Sequence, residues 1–334
     1  MSLDQNRLLA LKKRAAIRRA VAAWFEQQGF LEVETPARVP SPGQEVHLEA
    51  IAAGEGRYLI TSPEYHMKRL VAAGLPRIVQ FCRCWRAAER GSHHQPEFTM
   101  IEWYRAGARL EDIAADCEAI LGAAARAAGT WPMVEVPASR SRTGKPEGLG
   151  LQTPFERLTV REALARFAGI DLRGDESVAQ MRTLASRAGC DLGTAETWDD
   201  IFFQIFLDRV EPQLGVRRPS IVSDWPLPLA ALARRKPDDP LTVERFELYA
   251  GGLELANAFG ELCDPVEQRE RFVGEAELRR QRGRAIYPID EKLLAALADM
   301  PPTCGVALGF DRLVMLVTGA ETIGEVVAFA DDEV

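Results

Sequence analysis

The sequence predicts an α+β fold, with helices and strands in one chain, and three observations carry that prediction. An amphipathic stretch opens the chain, alternating strand patterns return on themselves at 78–104 and 245–259, and the block 156–215 has helical spacing throughout. In residues 7–28, Leu8, Leu11, Ala15, Ile17, Val21, Trp24 and Phe25 fall close to helical spacing, and Gly29 is placed to end the element. FLEVETP, residues 30–36, alternates Leu31, Val33 and Thr35 against Glu32 and Glu34, and it stops at a proline that cannot continue a ladder. Short strands follow at 58–61, 78–86 and 98–104, with a helix at 64–73 between the first two. An alanine-rich helix spans 111–128. The stretch 137–153, rich in Ser, Gly, Pro, Arg and Lys, reads as a mobile loop, and 156–215 reads as a helical insertion. Strand patterns resume at 220–222, 245–249 and 253–259, a charged helix covers 267–282, and 305–308 leads into a last helix beginning near Asp311. The whole, 1–334, reads as one domain.

Composition narrows the function classes. With 47% hydrophobic and 27% charged residues the chain is neither disordered nor collagen-like. No apolar run approaches the roughly 18 residues that cross a bilayer, and the first residues have no apolar signal core, so a cytoplasmic protein is expected. The six cysteines lack zinc or thioredoxin-like spacing and read as reduced thiols. A net charge of -8 argues against a protein that grips a long phosphate backbone.

Three clusters carry chemistry. In WRAAERGSHHQPEFTMIEWY, residues 85–104, Phe98, Met100, Glu102 and Tyr104 share one face of a strand, opposite a strand that ends in Arg86. A bidentate cation beside an aromatic plane suits a nucleotide, although a surface salt-bridge hairpin has the same composition. In RFELYAGGLELANAFGEL, residues 245–262, Glu247 and Glu254 flank a Gly-Gly turn, and two carboxylates brought together ask for a cation such as magnesium on a nucleotide. Glu254, Asn257 and Glu261 put polar groups into an apolar run. The alternative is an edge strand with solvated acids. In GVALGFDRL, residues 305–313, Gly309 permits close approach and Arg312 sits at a helix N-terminus, where phosphate is favoured. A capping Asp311 with a solvent-facing Arg312 is the bland version. His47, His66, Glu64 and Lys68 are the remaining polar candidates; no metal spacing or nucleophile motif accompanies them.

Taken in order, FLEVETP, TSPEYHMKR, WR…HHQPEFTMIEWY, FELY…LELANAFGEL and GVALGFDRL resemble the catalytic domain of class II lysyl-tRNA synthetases, from about residue 8 to residue 330. The resemblance implies an antiparallel sheet flanked by helices and a homodimer formed through the first helix and FLEVETP. It implies that Arg86 holds the α-phosphate of ATP and the amino-acid carboxylate, His94 and Arg312 the outer phosphates, and Phe98 the adenine. Glu247 and Glu254 would bind Mg2+. Glu64 and Glu102 would take one substrate amino group, Tyr104 and Glu261 the other, and Asn257 the carboxylate. Where the family has glutamate two positions after Arg86, this chain has Ala88, and Glu89 is the stand-in.

The anticodon-binding barrel expected before such a domain has no counterpart ahead of residue 8. That reading, the acidic charge, and the phrases TSPEYHMKR and GVALG make the chain resemble the elongation factor P–(R)-β-lysine ligases, and Ser62 and Ala307, where the synthetases tend to have alanine and glycine, would reshape the pocket around a shifted amino group. For that family the implied donor is β-lysine, activated as an adenylate, and the implied acceptor is a lysine of elongation factor P, with tRNA set aside. A silent lysine- or ATP-sensing module and a minimal tRNA-charging enzyme are the rival readings.

Overall fold

The computed structural model describes residues 5–334. Helix α1 (Gln5–Gln27) buries Ile17, Val21 and Phe25 along one face, and the chain turns through Gly29 at φ 74°, a left-handed backbone that glycine adopts without strain. Strand β1 (Leu31–Glu32) is much shorter than FLEVETP predicts. It runs parallel to the edge of β4 for two residues and leaves the sheet before Pro36, with Leu31 exposed. A small pair, β2 (Arg38–Val39) and β3 (Tyr58–Leu59), precedes helix α2 (Glu64–Ala72). Strands β4 (Arg77–Trp85) and β5 (Glu97–Ala106) form the long hairpin, and α3 (Leu110–Ala128) follows it.

The predicted loop 137–153 is a loop only in part. Strand β6 (Met133–Val136) pairs with β7 (Glu147–Gly150), and Arg140 is buried between them and the main body, donating to the carbonyls of Gly251 and Ala320. The all-helical reading of 156–215 likewise gives way at its start. Residues of β8 (Glu156–Thr159) add a parallel edge strand to β9 (Ser220–Pro226), and the helical part is α4 (Val160–Ala168), α5 (Val178–Arg187) and α6 (Trp198–Ile205), extended by one π turn. Thr159, Ser177 and Thr197 begin these three helices as capping boxes. Strands β10 (Thr242–Ala250) and β11 (Leu253–Gly260), helices α7 (Pro265–Gln281) and α8 (Glu291–Leu297), strand β12 (Thr303–Gly309) and helix α9 (Phe310–Thr318) complete the chain.

The eight strands lie in the order β1-β4-β5-β12-β11-β10-β9-β8, antiparallel from β4 to β9 with parallel strands at both edges. One face packs on α1, α3 and α9. Val79, Ile101, Trp103, Val306, Leu308, Ala256, Ala258, Phe246 and Leu248 supply it, alternate residues of their strands. The intervening residues form the other face, and the candidate site is there. A second core joins α4–α6 to β9, and a third joins α2, α7 and α8.

Candidate active site

The register of the sheet sets the site. Gln80, Glu102, Ala307, Asn257 and Glu247 stand directly opposite one another on five consecutive strands, so one row of side chains crosses this second face. The next row holds Tyr104, Gly305, Phe259 and Arg245. Strict alternation would put Glu254 and Asn257, three residues apart, on opposite faces. An irregularity in the β10–β11 ladder changes this: Leu248 pairs with Ala256 but Tyr249 with Glu254, so Leu255 is unpaired, and Leu255 and Ala256 both enter the core. Glu254 and Asn257 then line the same cleft.

At one end of the row is an acidic pocket. Ser62 donates a 2.6 Å hydrogen bond to one Glu102 oxygen and the Tyr104 hydroxyl donates to the other at 3.0 Å, while Ser62 accepts from the Glu64 backbone N–H at 3.0 Å. Helical spacing places Lys68 one turn after Glu64. Its Nζ lies 2.5 Å from Glu64 and 2.6 Å from Glu261, just beyond β11. Gly305 forms the wall, because a Cβ there would stand 2.3 Å from the Tyr104 ring and 2.5 Å from Glu261. Burial, with repulsion from Glu64, pushes Glu102 up to about 8, against the pull of Ser62 and Tyr104. Burial pushes Glu261 up to about 7 against the attraction of Lys68. Burial opposes the charge of Lys68, yet Glu261 and Glu64 outweigh it and hold the ammonium above its ordinary range.

At the other end a cleft of about 670 Å³, mouth included, is lined by Arg86, Glu89, His94, Phe98, Glu254, Asn257, Ala307, Gly309 and Arg312. The Arg86 guanidinium lies 5.1 Å from the Phe98 ring centroid and 3.2 Å from Glu89. Ala88 is exposed beside them. Arg312 is not the solvent-facing residue of the bland reading. It donates to the Glu254 carbonyl at 2.7 Å and to the His93 carbonyl at 3.3 Å, and pairs with the His94 ring. Burial and the neighbouring Arg312 keep His94 below its usual range, consistent with a neutral ring that accepts from the arginine. Asp311 caps nothing. It is buried, accepts from the Thr99 backbone N–H at 2.7 Å and pairs with Arg14 at 2.5 Å, which fixes the turn from Gly309 into α9 and leaves the helix N-terminus facing the cleft.

The two predicted metal-binding carboxylates differ. Glu254 lines the cleft, whereas Glu247 is buried beside it, held by Arg245 at 2.5 Å and by the Tyr249 hydroxyl. Burial and repulsion from Glu254 raise Glu247 to about 7, so a cation between them would relieve the strain of charge. Two oxygen donors fit a hard divalent ion whose shell nucleotide phosphates complete. No cluster of three metal-binding side chains is present among the described residues.

Two residues were given no role by sequence reasoning. Lys68 announces itself only through the Glu64 spacing. Glu45 lies on a loop with no motif. Burial and repulsion from Glu64 push it up to about 7, against the nearby Arg86. His47 is exposed, and His66 is half-buried on α2 with Arg69 and Asp290 as its charged neighbours.

A model of the class II tRNA synthetases (D, K and N) matches residues 3–333. Curated proteins similar over 96% of this chain and 95% of their own length include those of Erwinia tasmaniensis (41% identical), Klebsiella pneumoniae subsp. pneumoniae (40%) and Salmonella dublin (38%). Each of the three carries the name elongation factor P–(R)-β-lysine ligase. No described helix is long and apolar enough to cross a membrane.

Proposed function

Because this chain belongs to the class II tRNA synthetases (D, K and N), and within them to the elongation factor P–(R)-β-lysine ligases, we propose that it activates (R)-β-lysine with ATP and transfers it to the ε-amino group of a lysine on elongation factor P. It is an ATP-dependent ligase. The observation that carries the reading is the single row from Glu102 through Ala307 to Asn257, with carboxylates at one end and a cationic cleft at the other. A diamino acid lying along this row presents its ammonium groups to Glu64, Glu102, Tyr104 and Glu261. Its carboxylate then lies near Asn257 and Arg86.

In the first step a carboxylate oxygen attacks the α-phosphorus of ATP and pyrophosphate leaves. Arg86 and Arg312 meet the charge that develops on the phosphates, and the free amides at the start of α9 add to it. Phe98 offers its ring to the adenine and Glu89 lies beside it. Glu254, with Glu247 behind it, is the pair suited to hold the magnesium that accompanies ATP and neutralises phosphate charge. In the second step the neutral acceptor amine attacks the carbonyl carbon, AMP departs with the bonding electrons, and the nitrogen releases its extra proton to water. Ser62, bound to Glu102, and Ala307, opposite Glu102, reshape the seat of the shifted amino group, each worth about 1–3 kcal/mol of selectivity. Exposed Leu8, Leu9 and Leu31 fit a second copy packed on α1 and β1.

The test is incubation with ATP, (R)-β-lysine and elongation factor P, followed by intact mass. A gain of one lysyl residue supports the reading; pyrophosphate exchange without transfer to the protein overturns the acceptor, and no exchange overturns the activation.

A further inference from the structure

Lys68 is an anomaly in a pocket built to receive cations. Its side chain is 2% exposed, and its Nζ already occupies a position between two carboxylates, Glu64 on α2 and Glu261 after β11. Isolated buried lysines are costly, and one at 2.5 and 2.6 Å from two carboxylates is held by them as firmly as it holds them. The third carboxylate, Glu102, is occupied by neutral hydroxyls from Ser62 and Tyr104 and has no cation of its own.

The charges around this group nearly close. Beyond Glu261 stands Arg234, whose guanidinium pairs with Glu244 at 2.5 Å. Beyond Glu64 stands Glu45, with Arg86 as its cationic neighbour. Arg234 and Glu244 cancel as a pair, whereas Arg86 is shared between Glu45 and its own partner Glu89. With its three carboxylates ionised, as they are when cations fill the pocket, the inner set of Glu64, Glu102, Glu261 and Lys68 has two negative charges in excess, the number that two ammonium groups cancel.

We propose that Lys68 is a positioning residue that sets specificity for a diammonium substrate: it ties Glu64 to Glu261 across the pocket and cancels one of three carboxylates, leaving the charge that two amino groups neutralise. The proposal rests on the function proposed above and says how that site counts charge. An amino acid with one ammonium group leaves a buried carboxylate uncompensated and is rejected. Removing Lys68 leaves one carboxylate uncompensated even with the diamino acid bound.

The experiment is pyrophosphate exchange by Lys68→Ala and by the near-isosteric Lys68→Gln, with folding of both followed by circular dichroism. An uncompensated buried charge is expected to raise the KM for the amino acid by about 20-fold or more, with the KM for ATP within about two-fold. Propylammonium added to Lys68→Ala is expected to lower the amino-acid KM again, and 1-propanol of the same shape is expected to do nothing. Equal rescue by both compounds would mean that Lys68 merely fills space. An unchanged amino-acid KM in folded Lys68→Gln, or an ATP KM that rises in step, also overturns the proposal. Absence of exchange in the unmodified protein overturns the functional reading instead, whereas exchange there without ammonium rescue overturns only the role of Lys68.

Discussion

Ser62 and Glu102 are joined by a 2.6 Å hydrogen bond that ties the start of α2 to the middle of β5 and helps keep Glu102 ionisable in a buried pocket. Removing the donor raises Glu102 further and releases its orientation. Ser62→Ala is therefore expected to raise the amino-acid KM by about 10- to 100-fold at neutral pH, since a hydrogen bond to a charged group is worth about 1.5–3 kcal/mol, with the ATP KM unchanged. Combined with Ala307→Gly it is expected to move preference toward α-lysine. An unchanged ratio of the two isomers in parallel exchange assays removes both residues from the selectivity argument.

The raised carboxyls give a pH signature. Glu102 at about 8 and Glu261 at about 7 carry protons in the empty pocket at neutral pH that the same groups in the unfolded chain, near 4.3, have lost. The folded state thus binds more protons between about pH 4.5 and 8, and these two groups make stability fall as pH rises through that window. Ammonium binding needs the ionised forms, so the amino-acid KM should fall as pH rises toward 8 while the amines remain charged. Calorimetry at pH 7 in buffers of different ionisation enthalpy should detect protons released on binding; a buffer-independent heat contradicts it.

Arg312 is held by two backbone carbonyls and the His94 ring. Arg312→Ala is expected to lower kcat for exchange by about 10²–10³, the loss seen when one stabilising donor is removed from a site of developing charge. Circular dichroism should be unchanged, because the side chain is half-buried in the cleft and not in the core.

Asp311 predicts the opposite pattern. It is buried, and its removal orphans the Thr99 amide and leaves Arg14 without its carboxylate. Asp311→Ala is expected to cost about 3 kcal/mol in chemical denaturation. A loss below 1 kcal/mol would show that the turn into α9 holds without it.

Gly305 tests the pocket wall. A methyl there meets Tyr104 and Glu261 well inside contact distance, so Gly305→Ala is expected to cost about 1–3 kcal/mol of overpacking, directed at the amino-acid seat. The amino-acid KM should rise more than ten-fold, and titration with ATP alone should give the affinity of the unmodified protein.

Much of this was legible in the sequence. The expected strands 78–86, 98–104, 245–249, 253–259 and 305–308 correspond to β4, β5, β10, β11 and β12, each end within three residues of the observed one. Every candidate residue from Arg86 to Arg312 falls in the pocket, the cleft or directly against them. The rest depended on tertiary partners. Strand β8 has no alternation of its own and is a strand because β9 lies beside it. Strand β7 is hidden in a glycine-rich stretch and is a strand because β6 lies beside it, with buried Arg140 anchoring the connection between them. The unpaired Leu255 cannot be read from alternation, which assigns Glu254 and Asn257 to opposite faces. Lys68 looks like an ordinary i,i+4 partner of Glu64 until Glu261 arrives from just beyond β11, far along the chain.

Strand β12 lies in the centre of the sheet although it is the last strand in the chain. As the polypeptide is synthesised, β5 and β11 have nothing between them until residues 303–309 emerge, and the row that joins Glu102 to Asn257 has no middle. The acidic pocket and the nucleotide cleft are then two unconnected halves. In a chain cut before residue 303, β5 and β11 would each lack the partner they share, leaving two strand edges open in the middle of the sheet.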